Sequence, residues 1–441
     1  MRLDLPLANP SARAATIGGV IALCVWLLYV ALCDFLVGAL ADEHVRMTAD
    51  ATPAAFITAP FADERVGVNP EVLAAAARYF PNSPRLHMRL AEIRRYRTED
   101  DLRTAEFHAM RAIRLSPHDY RPRLILASIL EFKGDLDAAE ESAREALKLA
   151  PSDAGSHWQL ASLRLSRGNL PGSLAEFRAA GAGEAALKLV WSESENVDDL
   201  RAITPDNPKD QLRLARFLLD QSRPLESAAI FRQIDRVVLL GDRESSQYLN
   251  SFIAAGHVTL ARDLWCGLVC LHGEAPGDTT NLIWNGGFES NILLDFAQFD
   301  WSIQPSNYAR ISIDGNIAHT GKRSLRIDFT GRETTRLEDE IKQLILVRPG
   351  ARYRLQYYVK TERLSAPEGP RVVVSGMTSR ERIAASDPVP AGSRDWQQGT
   401  LEFSASSPAL IVAIQQLPRF SYEDPTHGTV WFDDFKIQQV Q

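Results

Sequence analysis

Apolar and polar positions follow three rhythms along this chain. Residues Ala14 to Cys33 run for twenty positions without a charge, rich in Leu, Ile, Val and Ala. From about Glu71 to Gly273 apolar residues recur at helical spacing, nested in a longer period of 34 residues. After Asn281 the spacing becomes alternation, as in Ser324-Leu-Arg-Ile-Asp-Phe329, where Leu325, Ile327 and Phe329 share one face. The three rhythms predict a multidomain chain: one transmembrane helix, an all-α helical solenoid and an all-β sandwich.

The first stretch is long enough for a membrane, since twenty residues at 1.5 Å each span ~30 Å. Arg2 and Arg13 precede it, and only Arg46 falls in the twenty residues that follow. The positive-inside rule then places the N-terminus in the cytoplasm and the bulk of the chain in the periplasm or extracytoplasmic space, as a single-pass protein of the inner membrane. Ala39-Leu40-Ala41 has the small-x-small form of a cleavage site, so a cleaved signal peptide is the rival reading. The length of the apolar run favours the anchor. Residues 1–41 are thus read as a cytoplasmic stub and anchor, and 42–70 as a tether of mixed composition.

The period of 34 is carried by Leu102, Leu136 and Leu170, by Asp101, Asp135 and Asn169, and by Ala112, Ala146 and Ala180. The pairs Gly134/Gly168, Pro117/Pro151 and Ala127/Ala161 keep the same step. Small residues let paired helices approach, glycine supplies the left-handed turn, and Asp or Asn caps the next helix. In these residues the chain resembles the tetratricopeptide repeat (TPR) family, whose unit is two antiparallel helices. The resemblance implies that residues 71–272 form a stacked array with a protein partner in its groove, where Leu124, Trp158 and Ser162 are expected. For each of the three taken alone, packing between helices is the stronger reading. The pattern lapses over 181–208, which predicts short, irregular helices there. Cys266 and Cys270 lie one turn apart, a poor disulfide geometry within a helix, so two structural thiols are expected. His272 adds at most a third metal ligand.

Residues 273–280 read as a turn-rich linker, and 281–441 as an antiparallel sandwich. Its strings Asn281-Leu-Ile-Trp-Asn-Gly-Gly-Phe-Glu289, Thr320-Gly-Lys-Arg-Ser-Leu-Arg-Ile327 and Val430-Trp-Phe-Asp-Asp-Phe435 resemble the galactose-binding-like jelly rolls of carbohydrate-binding modules. That resemblance implies core roles for Trp301, Tyr353, Trp396 and Trp431. It also implies a structural calcium held by Glu289 and Asp433, with Gly287 and the Lys322-Arg323 turn offering backbone oxygens. Asp434 competes with Asp433 for the inward position. On the strand face away from the core, Arg354, Gln356 and Tyr358 form a candidate glycan surface, with Arg326 and Asp328 on a neighbouring strand. A packing surface for the repeat or a partner protein is the other reading of that face.

Composition narrows the function further. With 45% apolar and 24% charged residues the chain is of globular type, and its net charge of −7 argues against nucleic-acid binding. Gly-x-Ser-x-Gly, His-Glu-x-x-His and phosphate-cradling Gly-Lys-Ser/Thr motifs are all missing from the sequence. The expectation is therefore a non-catalytic, membrane-anchored adaptor whose repeat binds protein and whose jelly roll binds polysaccharide, in a setting such as cell-surface polysaccharide assembly or export. The alternative is a structural protein–protein assembly factor without sugar binding.

Overall fold

The computed structural model describes residues 18, 20–29, 31, 70–93, 98–181, 183–269 and 281–440. The tether up to residue 69, the linker 273–280, Cys270 and His272 lie outside the described residues, as does part of the apolar stretch. The expected transmembrane helix is not supported: among the described residues no helix is long and apolar enough to cross a membrane. Residues 20–29 are helical and exposed. The inner-membrane, single-pass placement with an inward N-terminus falls with it.

The chain divides into two compact units, at Pro205/Asp206. The first contains α1 (Pro70–Tyr79), α2 (Pro84–Ile93), α3 (Glu99–Leu115), α4 (Arg121–Phe132), α5 (Leu136–Leu149), α6 (Ala154–Ser166), α7 (Leu170–Ala179), α8 (Glu184–Ser194) and α9 (Val197–Ile203). The 34-residue period has a direct physical cause here. Gly134 turns left-handed at φ +81°, its N–H bonds to Glu131 O and the Asp135 N–H to Leu130 O. Gly168, at φ +74°, repeats the pattern with Leu165 O, and Asn169 with Arg164 O. Asp135 and Asn169 then cap α5 and α7 by accepting from Ala138 and Gly172 N–H groups. Ala105, Ala109, Ala127, Ala139, Ala143 and Ala161 are fully buried, so helices meet where a larger side chain has no room. An ion network that the apolar pattern does not reveal adds to this: Glu140 of α5, 8% exposed, faces Arg144, Arg164 and Arg167, and Arg164 also reaches Glu176 of α7.

The second unit starts with α10 (Pro208–Asp220), α11 (Pro224–Phe231), α12 (Arg236–Leu240), α13 (Arg243–Ala254) and α14 (Val258–Val269). The β-domain follows as two five-stranded antiparallel sheets. One is ordered β1 (Ser302–Ile303), β4 (Ile341–Leu346), β9 (Ala409–Gln415), β6 (Arg371–Gly376), β7 (Arg382–Ala385). The other is ordered β2 (Ala309–Asp314), β3 (Ser324–Thr330), β10 (His427–Val440), β5 (Arg352–Ser365), β8 (Gly392–Ser404). Between them lies a core that includes Leu325, Ile327, Tyr353, Leu355, Val372, Val412, Phe432 and Ile437.

The last helices are fastened to the β-domain rather than strung from it. The Trp265 indole of α14 donates to Phe296 O at 2.6 Å and meets Trp284 edge-on. Arg262 lies 5.4 Å from the ring centres of both Trp265 and Phe299. Ser246 of α13 bonds to Asp295 O and receives Gln298 Nε2 at 2.8 Å. Cys266 is disulfide-bonded, which corrects the expectation of two structural thiols.

Candidate functional site

The two sheets present outer faces of different character. Side chains alternate along β10, so Val430 and Phe432 enter the core and Trp431 points to the other side. Trp431 is nonetheless buried, because Arg326 sits 5.5 Å over its ring and its indole donates to Asp314 at 2.9 Å. Burial works against ionised Asp314, but hydrogen bonds from Trp431 and two backbone N–H groups, with Arg326 nearby, hold its pKa below the usual value. Arg326 also binds Asp328, which accepts from Thr429. Trp396 is half-buried on this same face, edge-on to His319. Two of the four aromatics expected in the core, Trp301 and Tyr353, are there; Trp396 and Trp431 are not.

The glycan candidates of the sequence lie on this face among internal partners. Arg354 donates twice to Glu402, at 2.9 and 2.8 Å. Tyr358 is covered by the His319 imidazole, 3.6 Å away and near parallel. Gln356 is half-buried between Lys436 and Thr400 in register.

At the corner beside His319 the opening and closing strings of the domain converge. A Cβ at Gly286 would collide with Phe435 O, and Gly321 turns left-handed at φ +68°, so both positions call for glycine. Glu289 Oε1 accepts from Lys322 and Arg323 N–H groups at 2.7 and 2.9 Å. Asp433 Oδ2 accepts from His319 N at 2.7 Å, and Asp434 binds His319 Nδ1 and Thr320 Oγ1. The register of β10 slips between Asp433 and Lys436, and Asp434 adopts φ +50°. This bulge brings both aspartates to the corner, where simple alternation would admit one. Burial pushes Asp433 up to about 6, against hydrogen bonds from the His319 and Asp434 amides and with the Asp434 charge adding to the rise.

The structure thus gathers Glu289, Gly287, Asp433 and the Arg323 turn. Among the described residues no basic side chain pairs with Asp433, and no group of three or more His, Cys, Asp or Glu is arranged to hold a metal. The two carboxylates, Glu289 and Asp433, are oxygen donors of the type calcium takes, and each accepts here from backbone N–H groups.

The opposite face, on β6, β7 and β9, holds a cavity of about 250 Å³ lined by Glu368, Arg371, Arg382, Gln415, Gln416 and Arg419. Glu368 pairs with Arg371 at 2.9 Å and with Arg419. Burial works against its ionised form, but the two guanidinium groups outweigh it and hold the pKa low. Gln416 is 7% exposed; its Nε2 donates to Glu368 O and Thr426 Oγ1, while its Oε1 is buried without a partner. Directly after Arg419, Phe420 and Tyr422 stack with ring centres 5.5 Å apart, yet remain 56% and 79% exposed. The sequence reading missed these residues. Their signal was an aromatic pair at i and i+2 inside a proline-flanked loop, Pro418 to Pro425, outside any strand alternation.

In the repeat, Leu124, Trp158 and Ser162 are all half-buried on α4 and α6, and Trp158 meets buried Phe177 edge-on. Gln159 of α6 donates to Ser128 of α4 on the adjoining surface.

No family model matches the chain, and no curated protein matches it. Similar solved structures include a CBM4 domain, 19% identical over 36% of this chain and 99% of its own, with a TM-score of 0.27. The CBM22-1 xylan-binding domain of Paenibacillus barcinonensis Xyn10C is 16% identical over 32% of this chain and 86% of its own, with a TM-score of 0.23. YrrB, a TPR protein, is 10% identical over 47% of this chain and 95% of its own, with a TM-score of 0.24.

Proposed function

We propose a non-catalytic binding protein of two parts, with a glycan site on the β-domain and a protein or peptide site on the helical repeat. The observation that carries the glycan half is the exposed Phe420–Tyr422 pair beside a polar cavity. Two large aromatics left in water gain little for the fold. They suit a ligand whose C–H-rich faces pack on aromatic rings while its hydroxyls meet fixed polar groups. The repeat offers Leu124 and Ser162 on neighbouring first helices, a surface suited to a peptide. A non-catalytic role is supported at the corner, where Asp433, Asp434 and Glu289 are engaged by backbone amides, His319 and Thr320. A structural calcium belongs to the same reading; Glu289 and Asp433, with backbone oxygens of Gly287 and Arg323, would hold it and neutralise the corner.

Affinity electrophoresis of the full chain through gels containing a panel of polysaccharides tests the glycan half. The expected result is retardation by at least one polysaccharide, abolished in the Phe420→Ala/Tyr422→Ala variant. Unretarded migration in every gel would instead favour an assembly factor that binds protein alone.

A further inference from the structure

We infer that the ligand of this cavity is an anionic glycan whose uronate carboxylate is held by Arg382 and Arg371. The inference rests on the glycan reading of the site and narrows it to a class of sugar. Three guanidinium groups line the cavity and one carboxylate, Glu368, so the lining carries an excess of two positive charges (three minus one). This stands against a chain whose net charge is −7. Glu368 is engaged by Arg371 and Arg419. Glu423, the nearest acid along the loop, has its Oε1 engaged by the Arg419 and Phe420 N–H groups at 2.7 and 3.1 Å. Arg382 has no carboxylate partner among the described residues.

An arginine fork matches a carboxylate with two parallel hydrogen bonds, and a polar, partly enclosed site strengthens them. The charge alone would also suit phosphate or a simple acid. The exposed Phe420–Tyr422 pair distinguishes these: a bare anion has no apolar face to pack on an aromatic ring, whereas a sugar ring has one. A sugar acid answers both demands at once. The size agrees: about 250 Å³ is below the ~300–1,000 Å³ of sites for drug-sized ligands. It fits one sugar ring, with the rest of the chain running over Phe420 and Tyr422.

The test uses the full chain with polygalacturonate, alginate and hyaluronate, each paired with its carboxyl-reduced neutral form, measured by calorimetry at low and high salt. At least one uronate polymer should bind about tenfold or more tightly than its reduced partner, and lose that advantage as salt rises. Arg382→Gln, at an exposed position, should remove the preference for the acid while leaving the melting temperature unchanged. Equal binding of each acid and its reduced form, or binding of neutral polymers alone, would overturn the anionic class and leave the glycan site standing. Binding of no polysaccharide, acidic or neutral, would overturn the glycan reading itself and this inference with it.

Discussion

The two outer faces of the β-domain are built from the same residue types and differ in what those residues touch. On β2, β3, β10, β5 and β8, Arg326, Arg354 and Tyr358 are held by Asp328, Glu402 and His319. On β7 and in the segment that follows β9, Arg382 has no acidic partner among the described residues, Gln416 keeps a bare acceptor, and two aromatics, Phe420 and Tyr422, remain in solvent. Composition counts aromatics and guanidinium groups alike on both faces. Function depends on whether their hydrogen-bonding capacity is already satisfied within the chain.

That contrast can be broken by making equivalent cuts on each side. Trp431→Ala on the first face should cost about 3–5 kcal/mol in a thermal or denaturant melt, since it empties a buried indole site between Arg326 and Asp314. A loss under ~1 kcal/mol would mean that this face is a surface and not a structural layer.

Asp300 lies in the interior and belongs to neither face. Burial pushes its pKa to about 7, against hydrogen bonds from the Trp301 N–H and Asn285. The folded state therefore binds this proton more tightly than the unfolded state, and stability falls as pH rises from ~4 to ~7. Asp300→Asn should flatten that slope and raise stability at pH 8 by about 2–4 kcal/mol, on the order given by the shift. Melts at four or five pH values would show it; an unchanged slope would place the pH dependence elsewhere.

Calcium should sharpen the comparison from the corner of the first face. Excess chelator should lower the melting temperature, and added calcium restore it, with a stabilisation of about 2–3 kcal/mol at a hundredfold excess over the dissociation constant. An unmoved midpoint, with no calcium found by elemental analysis, would rule the ion out.

Much of this was legible in the sequence where one residue answers to one local demand. Gly134 and Gly168 need a left-handed turn, Asp135 and Asn169 cap, and alternation marks β3 and β5. Three strands escaped that reading: β1 is two residues long, β7 is four, and in β2 Arg310 and Ser312 stand between buried Ala309 and the partly buried Ile311 and Ile313. The twenty-residue apolar run suggested a membrane span that the described helices do not provide. Strict alternation likewise allowed one aspartate at the corner, and the bulge at Asp434 admits two. The pocket was illegible because Arg371, Arg382 and Arg419 come from three separate segments, and an unpaired arginine looks the same in sequence as a paired one.

The most direct test of the central claim is to titrate the full chain with the polysaccharide that retards it most, comparing Tyr422→Ala with Arg354→Ala. Tyr422→Ala should weaken binding about tenfold, the loss expected for one stacking aromatic, at unchanged melting temperature. Arg354→Ala should leave the affinity within about twofold, because that guanidinium already answers to Glu402. The reverse pattern, with affinity lost at Arg354 and kept at Tyr422, would place the ligand on the other face and contradict the account.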